Sequence, residues 1–155
     1  MLKGIPSVLS PDLLKMLREM GHGDELVLAD ANFPSVSMGQ RVVRCDGVGI
    51  VALLDAVLAL MPLDRYGQSP VAVMAVVPGD PAVPVAWEEY AGVVERWEGR
   101  MEFERVERFA FYERARRAFG VVATGEGALY GNVILRKGVV SGGGGAAVDQ
   151  PPKKR

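Results

Sequence analysis

Short, almost uninterrupted apolar runs alternate with helical patterns along this sequence, and that alternation constrains the fold most. Strand-like runs lie at 26–30, 40–44, 71–77, 101–106, 121–124 and 132–136. Between them, apolar side chains recur at helical spacing, as in the stripe formed by Trp87, Tyr90, Val94 and Trp97. Strands that alternate with helices predict a single-domain α/β layered sandwich, with a parallel or mixed sheet flanked by helices.

The first helix has clear start and stop signals. Ser10 is a favourable N-cap, Pro11 suits the first helical position, and Gly21 is suited to the C-terminal cap. His22 then lies just beyond the helix C-terminus, where the negative end of the helix dipole favours the imidazolium form. This position therefore predisposes His22 to donate a proton.

Composition limits the choice of partners. The chain has 155 residues and is 49% hydrophobic, which predicts that part of its apolar surface lies in a homo-oligomer interface. With 18 Lys and Arg against 19 Asp and Glu, the net charge of −1 favours neither nucleic acid nor an anionic membrane as partner. We expect residues 1–139 to form one domain and the Gly-, Pro- and Lys-rich segment 140–155 to be a flexible tail.

The sequence predicts a cytoplasmic protein. Its single cysteine, Cys45, cannot form an intramolecular disulfide, which is typical of a reducing compartment. Pro6 interrupts the N-terminal sequence before the apolar run of a secretory signal forms. The apolar stretch 50–61 is interrupted by Asp55, and the stretch 71–77 is too short to span a bilayer.

The only histidine of the chain, His22, is the first candidate for chemistry. Histidine gains and loses a proton near neutral pH, so an imidazole between two glycines suggests acid–base chemistry on a small polar molecule. The strand that follows delivers a carboxylate, Asp30, at its end. The structural alternatives are a histidine without chemical function and an Asp30 that caps the turn before Pro34.

Three blocks hold most of the polar groups that apolar patterning leaves unexplained, namely 21–34, 107–115 and 123–138. Together with Leu9-Ser10-Pro11 and with Leu63-Asp64 they resemble the L-fucose mutarotases, relatives of the bacterial ribose pyranases. The resemblance runs from about Leu2 to Val139 and leaves out the terminal tail.

This resemblance implies an α/β protein that assembles into a ring-like homo-oligomer, commonly a decamer, with sites near subunit boundaries. It also implies a monosaccharide substrate, L-fucose and related pyranoses, with neither a metal nor an organic cofactor. His22 corresponds to the proton donor of the family, and Tyr112 and Tyr130 correspond to residues with catalytic or contacting roles. The positions that bind sugar hydroxyls in the family are occupied by Asp30, Asp64, Arg108 and Asn132.

Anomer exchange requires groups of these kinds. The sugar ring must open to the free aldehyde and close on the other face, so a base takes the anomeric proton while an acid protonates the ring oxygen. We expect His22 to be the donor, and its partner is either a tyrosine hydroxyl or Asp30. For this mechanism the imidazole, the two tyrosines and Asp30 should share one cleft.

Two other functions fit the same residues. A non-catalytic monosaccharide-binding or regulatory module would bind sugar without accelerating anomer exchange. A glycoside hydrolase would use two carboxylates such as Asp24 and Asp30, although no second acidic motif supports them. Asp24 and Glu25 are otherwise interpreted as solvated charges at the entry of a strand.

Several site residues also have structural interpretations. Without the resemblance, Tyr112 would be a core aromatic, and Arg108 would pair on the surface with Glu104 or Glu107. Residues 130–132 would be a plain hairpin connection between two strands.

Overall fold

The computed structural model describes residues 1–141. Within that range the helices are α1 (Pro11–Glu19), α2 (Ser35–Met38), α3 (Ile50–Leu58), α4 (Ala86–Glu98) and α5 (Arg108–Arg117). The strands are β1 (Glu25–Ala29), β2 (Val42–Cys45), β3 (Val71–Met74), β4 (Glu104–Val106), β5 (Gly120–Thr124) and β6 (Val133–Arg136).

The strands form one mixed sheet in the order β2-β5-β1-β6-β3-β4. Strand β6 is antiparallel to both of its neighbours, β1 and β3, whereas the other pairs are parallel. The carboxyl ends of five strands therefore meet at one edge, together with the start of β6. We name it the carboxyl edge and the opposite one the amino edge.

Alternate side chains of each strand enter two different cores. Leu26 and Leu28 pack into the larger cluster, which contains the buried faces of α1, α3 and α4. Val27 and Ala29 point to the other face and pack with Phe111 of α5. Because both faces of the sheet are covered, the central strands β1, β3, β5 and β6 are mostly apolar, as in other sheets buried on both sides. The edge strands β2 and β4 are less buried and carry the exposed Arg44 and Arg105. The predicted layered α/β sandwich is confirmed.

Several local features differ from the sequence prediction. The strand predicted at 101–106 begins only at Glu104, and the one predicted at 40–44 runs from Val42 to Cys45. The helix predicted at 50–61 ends at Leu58, and the strand predicted at 71–77 ends at Met74. The four-residue α2 was not predicted, since one helical turn is too short to show a period. The hairpin interpretation of 130–132 is wrong because β1 lies between β5 and β6 in the sheet.

Within residues 1–141, no helix has the length and apolar character needed to cross a bilayer. The end of the predicted domain at residue 139 falls close to the limit of the described chain. Of the predicted tail, residues 142–155 lie outside the described residues.

Candidate active site

A cavity of about 230 Å³ opens at the carboxyl edge of the sheet. In open α/β sheets this edge, beyond the carboxyl ends of the strands, is where ligands bind. The cavity is lined by residues from four chain segments: Asp30, Asn32, Phe33, Met74, Val77, Asp80, Arg108, Tyr112, Leu129, Tyr130 and Asn132. Five of the seven predicted site residues are therefore brought together here, from positions up to 102 residues apart.

Asp30 and Asn132 form a reciprocal, buried pair in this pocket. Asp30 follows β1 and Asn132 precedes its antiparallel neighbour β6, so the two residues lie side by side. The Asp30 N–H donates to Asn132 Oδ1 at 2.8 Å, and Asn132 Nδ2 donates to Asp30 Oδ2 at 2.8 Å. The second oxygen of Asp30 accepts the Asn32 N–H at 3.0 Å. Asp30 thus caps the turn and lines the pocket, so both interpretations of this residue hold.

Burial raises the pKa of the Asp30 carboxyl above its ordinary value. The hydrogen bonds from Asn32, Phe33 and Asn132 act in the opposite direction and offset part of that rise.

The backbone of Tyr130 adopts a left-handed conformation, with φ of 57°, which few residues other than glycine adopt. Two aromatic side chains of α4 hold it in place. Trp87 Nε1 donates to the Tyr130 carbonyl at 2.9 Å, and the Tyr90 hydroxyl donates to the Gly131 carbonyl at 3.0 Å. The aromatic stripe of α4 therefore supports the site loop as well as packing in the core.

The hydroxyl of Tyr130 is bound to the segment that follows β3. It donates to Asp80 Oδ2 at 2.5 Å and accepts the Val77 N–H at 3.3 Å. The hydrogen bond to Asp80 is the main reason that the pKa of Tyr130 lies above its ordinary value.

Arg108 and Tyr112 enter the pocket from α5, which follows β4. The half-buried ring of Tyr112 lies 5.6 Å from that of Phe33, and the exposed Arg108 guanidinium lies 5.8 Å from the Tyr112 ring. Glu104 pairs with Arg114, and Glu107 accepts backbone N–H groups at the start of α5. The surface pairing considered for Arg108 is therefore wrong, while Tyr112 both packs against the core and lines the pocket.

The other two predicted residues, His22 and Asp64, lie together at the amino edge. His22 Nε2 is 3.3 Å from Asp64 Oδ1, and the imidazole meets the ring of Tyr66 edge-on at 6.1 Å. Asp64 also accepts the Tyr66 N–H at 3.0 Å and lies 3.2 Å from Arg136 Nε. The Tyr66 N–H, with His22 and Arg136, holds the pKa of Asp64 below its ordinary value. The His22 side chain is 49% exposed.

Strand β1 separates the two groups of predicted residues. From Asp24 to Asp30 the extended chain covers about 20 Å at roughly 3.3 Å per residue, and His22 lies before Asp24. Within one chain the imidazole is therefore outside the pocket, contrary to the expectation of a single cleft. The same separation contradicts the hydrolase alternative, whose two carboxylates must lie about 5–9.5 Å apart.

Two further expectations for the amino edge are wrong. The last carbonyls of α1 accept Lys137 Nζ, at 2.8 Å for Leu17 and 2.6 Å for Met20, so an ammonium group takes the place expected for His22. Burial lowers the pKa of Lys137. Glu25 is not solvated, because it forms a partly buried, bidentate ion pair with Arg114.

The sequence analysis missed Asp80, although a signal was present. Val77-Pro78-Gly79-Asp80 forms a tight turn in which the Asp80 N–H donates to the Val77 carbonyl at 3.0 Å and Gly79 has φ of +88°. Pro followed by Gly is the signature of a type II turn. Because β3 is parallel to β1, a turn directly after β3 lies at the same edge as Asp30.

Comparisons with protein families, with individual proteins and with solved structures all find the same protein family. The model of the RbsD / FucU transport protein family matches residues 3–140. Human fucose mutarotase is 55% identical over 147 residues, covering 90% of this chain and 95% of the human protein. The L-fucose mutarotase of Actinobacillus pleuropneumoniae serotype 5b is 52% identical and covers 90% of this chain and 97% of its own. The crystal structure of the Streptococcus pneumoniae fucose mutarotase in complex with L-fucose matches with a TM-score of 0.86 at 51% identity, over 90% of this chain and 100% of that one.

Proposed function

Because the chain belongs to the RbsD / FucU family, we propose that it is a mutarotase that interconverts the α and β anomers of L-fucose. One observation carries the proposal. A small pocket at the carboxyl edge collects the polar side chains of Asp30, Arg108, Tyr112, Tyr130 and Asn132, in a chain that is about half identical to fucose mutarotases along 90% of its length.

The pocket suits a single sugar ring. Its volume of about 230 Å³ lies below the roughly 300–1,000 Å³ typical of sites for drug-sized ligands. Carboxylate, amide and guanidinium groups of Asp30, Asn132 and Arg108 offer directional hydrogen bonds to ring hydroxyls. The exposed faces of Tyr112 and Leu129 provide apolar surface for the ring carbons.

The proposal extends to a second copy of the chain, because one pocket lacks the imidazole. In this mechanism, His22 of a neighbouring subunit protonates the ring oxygen of the sugar, and Asp64 of that same subunit orients the imidazole of His22. Exposed apolar side chains flank both edges, with Phe109 66% and Leu129 64% exposed beside the pocket and Tyr66 71% exposed beside His22. Contact between the amino edge of one copy and the carboxyl edge of the next is head-to-tail and generates a ring when the rotation closes.

The ring-like assembly, its decameric size and the cytoplasmic location stay predictions. Light scattering tests the first, since the proposal requires a particle well above the chain mass of 16.7 kDa. A clean monomer would contradict a site completed by a neighbouring subunit.

The catalytic proposal is tested by NMR exchange between the anomeric protons of L-fucose. The protein should accelerate α/β exchange above the rate in buffer, and more for L-fucose than for ribose, galactose or glucose. Binding of fucose with no acceleration would favour the regulatory-module alternative.

Mixed oligomers test the sharing of the site. His22→Ala lacks the donor and Asp30→Asn lacks a carboxylate that binds the sugar, so each variant alone should be nearly inactive at fucose concentrations below KM. When the two chains are refolded together at equal concentration, random assembly pairs an intact donor with an intact pocket at about one quarter of the head-to-tail contacts. The mixture should therefore recover about a quarter of the wild-type rate. No recovery would mean that each site is built within one chain.

A further inference from the structure

The hydroxyl of Tyr130 donates its only proton to the carboxylate of Asp80, so that proton is not available to a sugar in the pocket. That proton is donated to Asp80 at 2.5 Å, and one lone pair accepts the Val77 N–H at 3.3 Å. A phenolic hydroxyl has one donor and two acceptor positions. A single lone pair therefore remains for a ligand in the pocket, and toward that ligand Tyr130 acts as an acceptor.

Asp80 is held in place independently of any ligand. The turn fixes its backbone through the Val77 carbonyl, and its Oδ1 accepts the Ala82 N–H at 2.9 Å, which leaves Oδ2 for Tyr130. The hydrogen bond from Trp87 fixes the Tyr130 backbone from the other side. The acceptor is thus oriented before the sugar enters, which is the arrangement that proton transfer requires.

We propose that Asp80 is a positioning residue that makes Tyr130 the proton acceptor in ring opening, an inference that rests on the mutarotase function proposed above. The anomeric hydroxyl gives its proton to Tyr130 Oη, and the proton of Tyr130 passes to Asp80 Oδ2. The electron pair of the broken O–H bond forms the aldehyde C=O. The pair of the broken ring C–O bond stays on the ring oxygen, which takes a proton from His22. Ring closure on the other face reverses each transfer.

Asp30 differs from Asp80 in that, within residues 1–141, its carboxylate is hydrogen-bonded to amide N–H groups and not to a tyrosine hydroxyl. Each of its carboxylate oxygens already accepts a fixed hydrogen bond, from Asn32 N–H and from Asn132 Nδ2. The lone pairs that remain suit a sugar hydroxyl that is held in position. The geometry therefore assigns binding to Asp30 and proton acceptance to the Tyr130–Asp80 pair.

The test variant is Asp80→Asn, with Asp80→Glu as the conservative variant. At saturating L-fucose we expect the exchange rate of Asp80→Asn to fall about 10²-fold, the lower end of what one positioned proton transfer contributes. KM should change much less than the rate, because the two Asp80 oxygens are already engaged by the Ala82 N–H and by Tyr130. Asp80→Glu, which keeps a carboxylate, should recover part of the rate. Asp46→Asn removes an exposed carboxylate bound to Arg44 outside the pocket, and it should leave the rate unchanged.

A second readout needs no sugar. Asp80 raises the pKa of Tyr130, so the ultraviolet phenolate titration of Asp80→Asn should shift to lower pH for one tyrosine. The tyrosine is assigned by its loss in Tyr130→Phe. A merely structural loss at the turn would lower thermal stability and raise KM without this selective shift.

The outcomes separate the inference from the proposed function. An active wild type with a fully active Asp80→Asn, or an Asp80→Asn defect confined to KM, would overturn the role of Asp80 alone. A wild type that does not accelerate anomer exchange would overturn the mutarotase function and, with it, the role of Asp80 in proton transfer. A loss of rate at constant KM, with the shifted titration, supports both.

Discussion

The two edges of the sheet hold carboxylates in opposite electrostatic environments. At the carboxyl edge, burial raises the pKa of Asp30, and the cavity beside it is lined by prearranged donors and acceptors. At the amino edge, the Tyr66 N–H, with His22 and Arg136, lowers the pKa of Asp64, and the side chain of His22 is half exposed. One edge is built to enclose a small polar ligand, whereas the other presents an oriented imidazole to the surface.

Under the proposed mechanism, this difference means that one chain alone does not form a complete site. Both edges are carried by the five-residue strand β1, and the strand that places Asp30 in the pocket necessarily places His22 at the far end. A second copy can contribute the imidazole, since it is exposed on the surface and not buried in a core. If the two edges have separate roles, changes at His22 should alter the exchange rate, and changes at the carboxyl edge should also alter sugar binding.

The largest effect is expected for His22→Ala. Loss of a positioned proton donor should slow anomer exchange about 10²–10⁴-fold, while fucose binding should persist because the pocket lies at the other edge. Exchange NMR measures the rate, and titration of the protein with fucose measures binding. Glu19→Gln, an exposed change at the end of α1, should leave both unchanged. A loss of fucose binding in His22→Ala as large as that in Asp30→Asn would contradict the separate roles of the two edges.

Asn132→Ala tests the pocket edge. It leaves the Asp30 N–H and one carboxylate oxygen buried without their partner, which should lower the free energy of unfolding by about 1–3 kcal/mol and weaken fucose binding. The matched control is Asn32→Ala, since the contact from that residue to Asp30 uses the backbone N–H. Chemical denaturation should show a change within about 0.5 kcal/mol for the control. An equal loss of unfolding free energy in both variants would show that the side chain of Asn132 does not stabilise the buried pair with Asp30.

Tyr90→Phe should have a smaller effect, because it removes only the hydroxyl that supports the site loop at Gly131. We expect a loss of about 1 kcal/mol in the free energy of unfolding and a few-fold decrease in the exchange rate. Trp97→Phe removes a comparable hydrogen bond, to Asp55, on the same helix but away from the loop. Only Tyr90→Phe should slow anomer exchange. An equal decrease of the exchange rate in Trp97→Phe would show that α4 affects the rate through overall stability.

The sequence predicted the layers and most elements because each carries local signals. Ser10 and Pro11 mark the start of α1, and the unbroken apolar runs mark strands that are buried on both faces. The pairing of Asp30 with Asn132 was not predictable from such signals, since it depends on β6 being antiparallel to β1 across 102 residues.

The sequence predicted the candidate site residues, but not the edge of the sheet at which each of them lies. His22 was predicted as the only histidine of the chain and Asp64 from the family resemblance, but their separation from the pocket follows only from the direction of β1. Asp80 was missed because its turn lies after a strand whose place in the sheet the sequence does not give. Local patterns identify elements, while the edge at which a residue lies depends on strand order and direction.

The smallest effect, on stability at low pH, distinguishes the two carboxylates by sign. Asp64 has a lowered pKa in the folded protein, so it stabilises the fold above the unfolded value of about 4 and loses that contribution as the pH falls through the folded pKa. Asp64→Asn should therefore make the free energy of unfolding less dependent on acidification.

Asp30 has a raised pKa in the folded protein, so its contribution is complete below the unfolded value and declines as the pH rises through the folded pKa. Asp30→Asn should change the slope of stability with pH in the direction opposite to Asp64→Asn. Denaturant titrations between about pH 3 and pH 6 bracket the ordinary aspartate pKa and measure both slopes. If both variants changed the slope of stability with pH in the same direction, the contrast between the buried carboxyl edge and the charge-stabilised amino edge would be contradicted.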